Sequence, residues 1–219
     1  MNDDMPRTER RKAATRANLL AAGEQQISTT GLSSVSIQTT TELADVALGT
    51  FYNHFANKDE LIDEILERDQ RLMRRSILQL QSEAADKIER AASVVSSCVR
   101  RAALEPGWAR FAAEFWAAGR WPTEDPADGL LLIELRQGIA AGRMTVEDEL
   151  LAVVGGRDLV GGILRRHAQL GGVIDERKVL RHAVSGVLRL LGAGNLDVDR
   201  GVAWAERHPL SAAAFEEVG

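Results

Sequence analysis

The chain has 219 residues, of which 45% are hydrophobic and only 5% aromatic, and its formal net charge is −5. It contains no run of about 18 apolar residues and no apolar signal-peptide segment, so neither a membrane span nor export is expected. The single cysteine, Cys98, excludes an internal disulfide and indicates a reducing compartment, so we expect a cytoplasmic protein.

The N-terminal segment is the basic part of an acidic chain. The first twenty residues carry five basic and three acidic groups, which gives them a net charge of +2 and leaves −7 for the rest. This distribution is typical of a protein that meets phosphates at one end, although the solvated start of a helix would have the same composition. Apolar residues at helical spacing, among them Leu19, Ala22 and Ile27, then predict a first helix over Thr8–Thr29.

Residues 36–55, SIQTTTELADVALGTFYNHF, predict two short helices that meet at a tight turn. Ser36 is a suitable N-cap for the first helix, Ile37–Ala44, and the second helix covers Ala47–Asn53. Between them, Asp45 can adopt the left-handed backbone that the turn needs. Such a pair forms a helix-turn-helix, whose second helix can enter the major groove of DNA. We expect its apolar side chains to face inwards: Ile37, Leu43, Ala44, Val46 and Phe51.

The remaining sequence predicts further helices and no strand, so the expected fold is all-α. Asn57 and Glu60 resemble a capping box that opens a fourth helix, and Thr145–Asp148 resemble a second capping box. Pro106 and Gly107 are expected to break the chain. The predicted helices are Asn57–Leu80, Glu83–Leu104, Trp108–Gly119, Asp125–Ala141, Thr145–Leu170, Asp175–Leu191 and, in the tail, Asp197–Arg207 and Leu210–Val218.

One motif resembles a known family. The run Gly49-Thr50-Phe51-Tyr52-Asn53-His54-Phe55, followed after a short gap by Lys58-Asp59-Glu60-Leu61, is similar to the core pattern of the tetracycline-repressor (TetR) family. The resemblance covers about residues 9–69. It implies an N-terminal three-helix DNA-binding domain, residues 1–56, and a C-terminal helical bundle, residues 57–219, for ligand binding and dimerisation.

The chain departs from the family pattern at three positions in the helix-turn-helix. Asp45 replaces the usual Gly of the turn, and Thr40 replaces a buried aliphatic residue. Leu48 replaces a Lys or another polar residue that faces DNA. These departures leave the fold expected but change the surface that would read base pairs.

The resemblance and the chemistry of the side chains together indicate the DNA contacts. Tyr52, His54 and Lys58 match family residues that lie near the DNA backbone. No Arg or Lys lies between residues 17 and 57, so bases must be read by Thr50, other polar groups and apolar contacts with thymine methyls. The predicted DNA-binding set is Arg10, Arg11, Lys12, Ser36, Gln38, Thr39, Ala47, Leu48, Gly49, Thr50, Tyr52, Asn53, His54 and Lys58.

Residues 108–121 concentrate the aromatic side chains of an aromatic-poor chain. Core packing alone would explain such a stripe, but the resemblance favours a mostly apolar effector pocket in the helical body. The predicted effector contacts are Trp108, Phe111, Phe115 and Trp116, with Leu132, Ile133 and Arg136 from the following helix.

Two glycine pairs, Gly155-Gly156 and Gly161-Gly162, lie inside a helical pattern, where each glycine costs roughly 1 kcal/mol relative to Ala. Close approach of another helix would offset this cost. We therefore expect the last two long helices to form a homodimer interface, which Val160→Glu or Val187→Glu would disrupt if either residue faces it.

No arrangement of residues indicates catalysis, a metal site or a cofactor. The four histidines are not at metal-ligand spacing with one another or with Cys98, and no glycine-rich phosphate loop occurs. We expect no enzyme activity. The sequence predicts a transcriptional repressor that a small apolar effector releases from a double-stranded DNA operator. The alternative is a small-molecule-binding helical protein with a weakened DNA module, which the net negative charge and the cation-free second helix favour.

Overall fold

The computed structural model describes residues 6–118, 126–169 and 175–215, and within these ranges every regular element is helical. The all-α prediction is therefore confirmed. The elements are α1 (Arg7–Thr30), a 3-10 turn (Leu32–Ser34), α2 (Ile37–Leu43), α3 (Leu48–Tyr52), α4 (Lys58–Gln81), α5 (Lys87–Leu104), α6 (Pro106–Ala117), α7 (Pro126–Ala140), α8 (Glu149–Gln169), α9 (Glu176–Leu190), α10 (Asn195–Arg207) and a second 3-10 turn (Ala212–Phe215).

The chain divides into two compact units, one reaching to Asp69 and the other beginning at Gln70. We call them the N-terminal unit and the body. The division falls inside α4, so this one helix contributes residues to both units. The domain boundary at residues 56–57 lies just before α4 and stays a prediction.

The N-terminal unit is built around the buried face of α1. Leu19 and Ile27 are fully buried there, as their helical spacing predicts. Gly23 on the same face allows α1 to approach α4 closely, since a Cβ at this position would lie 2.7 Å from Cδ1 of Ile65. In the sequence, Gly23 is only one member of an apolar stripe. In the structure, the packing of α1 on α4 requires that this position has no side chain.

The body is organised around α5, which packs against α6, α7, α8, α9 and α10. Its buried serines return their hydroxyl groups to the helix itself: Ser96 donates to the carbonyl of Ala92 (2.7 Å) and Ser97 to that of Ser93 (3.0 Å). These small side chains let five helices surround α5 without requiring polar partners from them.

A buried carboxylate ties three helices of the body together. Glu134 on α7 has no exposed surface, and its Oε1 accepts a hydrogen bond from Nε of Arg90 on α5 (2.8 Å). Arg90 also donates to the carbonyl of Gln81, the last residue of α4 (3.3 Å), and Lys87 lies 4.0 Å from Glu134. Removing one member would leave an uncompensated charge, which is why such groups are costly to change.

Glycines of α8 and α9 are used for packing inside the chain. A Cβ at Gly156 would lie 3.2 Å from Val187, and one at Gly161 would lie 3.2 Å from the Trp116 ring. A Cβ at Gly186 would lie 2.5 Å from Cδ2 of Leu159. Contacts within one chain therefore explain these glycines, whereas Gly155 and Gly162 are only half-buried.

Val160 and Val187, proposed as possible interface positions, are buried in the body. A glutamate at either position would disrupt the core of a single chain, so these substitutions do not test dimer formation. A substitution that tests the predicted dimer has to lie at an exposed residue of α8 or α9.

Four predicted helix starts differ from the structure, and one of them is α10, which begins at Asn195 rather than Asp197. α5 begins at Lys87 rather than Glu83, because Asp86 caps it by accepting from the backbone N–H groups of residues 88 and 89 (3.0 Å each). α8 begins at Glu149 rather than Thr145, because Asp148 accepts from the N–H of Leu151 (2.9 Å). Pro106 does not break the chain but opens α6 at the first position, where its missing N–H costs nothing.

Other predicted ends are confirmed. Asp175 caps α9 by accepting from the N–H of Lys178, and Gly142 and Gly192 adopt positive φ angles of 68° and 73° after α7 and α9. The expected helix from Leu210 is instead the short 3-10 turn at Ala212–Phe215. The predictions at Gly119, Trp121, Asp125, Leu170, Gly171-Gly172 and residues 216–218 lie outside the described residues.

Candidate nucleic-acid interface

The helix-turn-helix forms as the sequence predicts. Ser36 caps α2, its Oγ accepting from the N–H of Thr39 (3.2 Å). The chain then turns at Asp45, whose φ of 52° lies in the left-handed region, and α3 starts three residues later. Asp therefore fills the position that Gly usually takes, because its short polar side chain tolerates this backbone better than most.

The inner side of the pair is closed by aromatic rings. Phe51 and Phe55 are buried with their ring centroids 5.5 Å apart. On α2 the buried positions are Thr40 and Thr41, and the C-cap Ala44, four residues after Thr40 on the same face, is buried as well. Leu43, expected to face inwards, is instead 47% exposed because it is turned away from that face.

Thr40 belongs to a buried polar cluster that the sequence analysis did not predict. This cluster fills the position where the family usually has an aliphatic side chain. Nε2 of Gln26 on α1 donates to Oγ1 of Thr40 (2.7 Å), which donates to the carbonyl of Ser36 (2.8 Å). The N–H of Ser36 in turn donates to Oε1 of Gln26 (3.1 Å). The only signal in the sequence was a polar residue at each of two core positions. The cluster fixes the start of α2 on α1.

Arg16 is the second residue whose role sequence reasoning missed. Its guanidinium pairs with both carboxylate oxygens of Glu64 on α4 and donates to the backbone carbonyl of His54 (2.6 Å). It also lies 4.4 Å from the centre of the Phe55 ring. Arg16 is thus committed to holding α1, α4 and the end of α3 together, although composition alone grouped it with the basic N-terminal residues.

His54 lies in this junction, and its surroundings hold its pKa below the ordinary value. Burial lowers its pKa, and the nearby positive charges of Arg16 and Lys12 lower it further. Its Nδ1 is buried without a hydrogen-bond partner among the described residues. The lowered pKa favours the neutral imidazole, so the predicted contact of His54 with DNA would be a hydrogen bond rather than an ion pair.

The outward side of the helix-turn-helix is open. Leu48 and Tyr52, four residues apart on α3, are 53% and 56% exposed. No described atom lies within 4 Å of a Cβ built on Gly49, so the space that this glycine leaves is not filled by the protein. The other outward residues of the predicted set are Gln38, Thr39, Ala47 and Asn53, while Ser36, Thr50, His54 and Lys58 are half-buried.

The predicted basic residues Arg10, Arg11 and Lys12 are exposed on the first turns of α1. At the start of α4, Asn57 accepts from the N–H of Glu60 (2.9 Å) as the capping box predicts, whereas the Glu60 carboxylate reaches one residue further back and accepts from the N–H of Ala56 (2.5 Å). Carboxylates already lie at this helix start and would repel a phosphate. The positively charged Lys58 is therefore the side chain there that could bind one.

Residues 19–65 match the family model described as bacterial regulatory proteins, tetR family. The N-terminal unit carries the TetR-family DNA-binding domain. The protein is accordingly a DNA-binding transcriptional regulator, in which a TetR-type domain precedes a helical body. No curated protein is similar enough to count as a match.

Several solved structures share the fold. RolR in complex with resorcinol is 23% identical, with 93% of this chain and 98% of RolR covered and a TM-score of 0.58. The fatty acid degradation regulator FadR from Bacillus halodurans is 18% identical, with coverage of 82% and 97% and a TM-score of 0.69. A TetR family regulator from Marinobacter aquaeolei VT8 is 16% identical, with coverage of 85% and 100% and a TM-score of 0.70.

The TetR-type body does not bring all seven predicted effector residues to one place. Phe111 and Phe115 on α6 are buried with ring centroids 4.8 Å apart, and the guanidinium of Arg101 lies 5.0 Å from the Trp108 ring. α6 packs on α5 and α8. Trp116 lies against Gly161 of α8, as described above.

The α7 residues of the predicted set are placed differently. Ile133 and Arg136 are exposed, Leu132 is half-buried, and Arg136 pairs with Glu149 at 2.6 Å. The effector contacts therefore stay a prediction, carried best by the α6 rings. Among the described residues, no group of three or more metal-ligating side chains lies together, and no helix is long and apolar enough to cross a membrane.

Proposed function

We propose that this TetR-type regulator is a repressor that binds a double-stranded operator in the cytoplasm and is released from it by a small effector. The observation that carries the proposal is the outward side of α3, where Leu48, Gly49 and Tyr52 leave a surface that no described part of the N-terminal unit covers. A second helix of a helix-turn-helix with a free outward face is shaped to enter a major groove.

The positive charge for phosphate contact comes from outside the helix-turn-helix. Arg10, Arg11 and Lys12 are exposed, whereas Arg16 is already engaged by Glu64. We infer that these three residues grip the DNA backbone and that the α3 surface reads the bases. The predicted polar contacts from α2, Gln38 and Thr39, are exposed and available for the same duplex.

Binding as a homodimer would place two such surfaces on successive turns of the duplex. Support comes from a groove of about 590 Å³ between α8 and α9, lined among others by Leu159, Ile163 and Val179. Leu151, near the start of α8, is 70% exposed. Apolar surface of this kind on two adjacent long helices suits a partner with the same surface.

The effector is proposed to be small and apolar. RolR, which shares the fold, was solved with resorcinol, a small aromatic molecule. The α6 rings of this chain, Phe111 and Phe115 with Trp108 and Trp116 beside them, offer the kind of apolar lining that would hold such a ligand. An effector that prefers the form unable to bind DNA would shift the population of the regulator towards that form.

Binding to duplex DNA is tested with the full chain, a random duplex library and a salt series. Wild type should enrich one sequence, and its affinity should fall steeply with salt because phosphate contacts release counterions. Replacing Arg10, Arg11 and Lys12 together by Ala should weaken binding to all sequences and flatten the salt slope by about one per residue. A triple Ala variant of Arg74, Arg110 and Arg207, exposed in the body outside α8 and α9, removes the same charge and should change neither.

The two candidate functions give different results in this experiment. A helical small-molecule-binding protein with a weakened DNA module would enrich no sequence at any salt concentration, which would contradict the repressor proposal. Wild type could instead enrich one sequence while the variant of Arg10, Arg11 and Lys12 shows an unchanged salt slope. That result would support a DNA-binding regulator but would show that these three residues do not contact its DNA.

The dimer is tested by sedimentation equilibrium. Leu151→Glu should shift the chain towards monomer, because a carboxylate would have to be buried in the contact. Leu196→Glu on α10, which is 87% exposed, is the matched control and should leave the association unchanged. A monomeric wild type at micromolar concentration would contradict the dimer.

A further inference from the structure

The outward side of α3 carries an apolar side chain at the position nearest its start. Leu48 is the first residue of α3 and is 53% exposed, while Phe51 on the opposite side is fully buried. The neighbouring Gly49 adds no side chain, and no described atom fills the space beside it. Leu48 therefore stands clear of its surroundings on the surface that faces the groove.

The chemistry of this surface restricts what Leu48 can contact. No Arg or Lys occurs between residues 17 and 57, so no cation from α2 or α3 can pair with guanine. Along the major groove, the base edges present hydrogen-bond donors, hydrogen-bond acceptors and one apolar group, the C5-methyl of thymine. A leucine set against donors or acceptors would strip them of water without replacing it, whereas the methyl group gains from the contact.

We propose that Leu48 reads the C5-methyl group of a thymine in each half of the operator, so that the operator has a T·A pair at this position. This inference rests on the proposed function, because it requires the α3 surface to lie in the major groove. Leu48 would then determine sequence specificity, although the family usually has a polar side chain at this position.

The experiment uses the sequence enriched from the random duplex library by the full chain. Each thymine of a half-site is replaced in turn by uracil, which lacks only the methyl group, and then by 5-bromouracil, whose bromine has nearly the same size as the methyl. Wild type is compared with Leu48→Ala. Leu196→Ala is the control for loss of an exposed leucine far along the chain.

The expected result is one thymine per half-site at which uracil weakens wild-type binding about fourfold, or about fifteenfold when both half-sites are changed. 5-Bromouracil should restore the affinity, and Leu48→Ala should bind the thymine and uracil duplexes equally. Leu196→Ala should behave as wild type. Because Leu48 is exposed, its replacement by Ala should not disturb the fold.

Three results would overturn the proposal. Wild type binding every uracil duplex within twofold of the thymine duplex would show that no methyl is read, and so would an enriched sequence without thymine in its half-sites. If uracil weakens binding of Leu48→Ala as much as it weakens binding of wild type, a residue other than Leu48 contacts the methyl group. In all three cases the regulator still selects a DNA sequence, so the proposed function survives; failure to enrich any sequence would contradict that function instead.

Discussion

The N-terminal unit and the body solve the same packing problem in different ways. The N-terminal unit buries a neutral hydrogen-bonded pair, Gln26 with Thr40, and keeps its ionic junction at Arg16 partly in water. The body buries a full charge at Glu134 and relies on glycines that are closely packed. The first unit therefore depends on particular polar contacts together with one closely packed glycine, Gly23, and the second depends on the close approach of helices at several glycines.

This difference explains why the two units were not equally predictable. Residues 36–55 predict α3, its inner rings and the turn at Asp45, because local sequence and backbone geometry determine them together. The partners of Gly156, Gly161 and Gly186 lie on other helices or many residues away, and no local pattern names them.

Helix starts in the body failed for a related reason. Several residues able to cap a helix stand within a few positions of one another before α5 and α8, and tertiary packing selected Asp86 and Asp148. The roles of Arg16 and Gln26 were likewise hidden, because each depends on a residue more than ten positions along the chain.

The largest expected effect is in the body, at Gly192. Its φ is +73°, and a Cβ there would lie 1.8 Å from the carbonyl oxygen of Thr145. Gly192→Ala should destabilise the body by about 3 kcal/mol or more, because strain and overpacking combine. Denaturation followed by tryptophan fluorescence measures this, since Trp108, Trp116, Trp121 and Trp204, the four tryptophans of the chain, all lie beyond Gln70.

Gly142 is the matched control for that substitution, because it has a similar φ of +68° but no described atom within 4 Å of a Cβ. Gly142→Ala should cost only the strain of the left-handed backbone, about 1–2 kcal/mol. Equal losses of stability at Gly142 and Gly192 would mean that close packing against Thr145 adds nothing to the cost of Gly192→Ala.

An intermediate effect is expected in the N-terminal unit at Arg16. Arg16→Ala removes the pair with Glu64, the hydrogen bond to the carbonyl of His54 and the contact with Phe55. Because the pair is partly solvated, we expect a loss of about 1–2 kcal/mol. Hydrogen exchange of peptides before Asp69 should accelerate roughly tenfold, while the tryptophan-monitored midpoint of the body stays unchanged.

Arg16→Lys sharpens the comparison between the units, because a lysine cannot reproduce the forked contact with Glu64. It should recover little of the lost protection. Full recovery by lysine would show that charge alone, rather than the guanidinium geometry, holds α1 to α4.

The smallest effect concerns pH and His54. Its pKa is lowered in the folded chain, so protonation favours the unfolded chain. The stability that this gives is complete above the unfolded pKa of about 6.5 and declines as the pH falls towards the folded pKa. An NMR titration should place the His54 imidazole midpoint below 6.5, with the signal assigned by its absence in His54→Gln. A midpoint at or above 6.5 would contradict the claim that burial and the charge of Arg16 lower the pKa of His54.

The central claim, that the outward side of α3 enters the major groove, is tested most directly at Gly49. Gly49 and Gly129 are both helical glycines with no described atom of the surrounding chain within 4 Å of a Cβ, so a side chain would start in open space at either position. We predict that Gly49→Leu keeps the thermal stability of wild type but weakens operator binding by about one to two orders of magnitude, while Gly129→Leu binds as wild type. Wild-type operator affinity in a folded Gly49→Leu variant would contradict the claim.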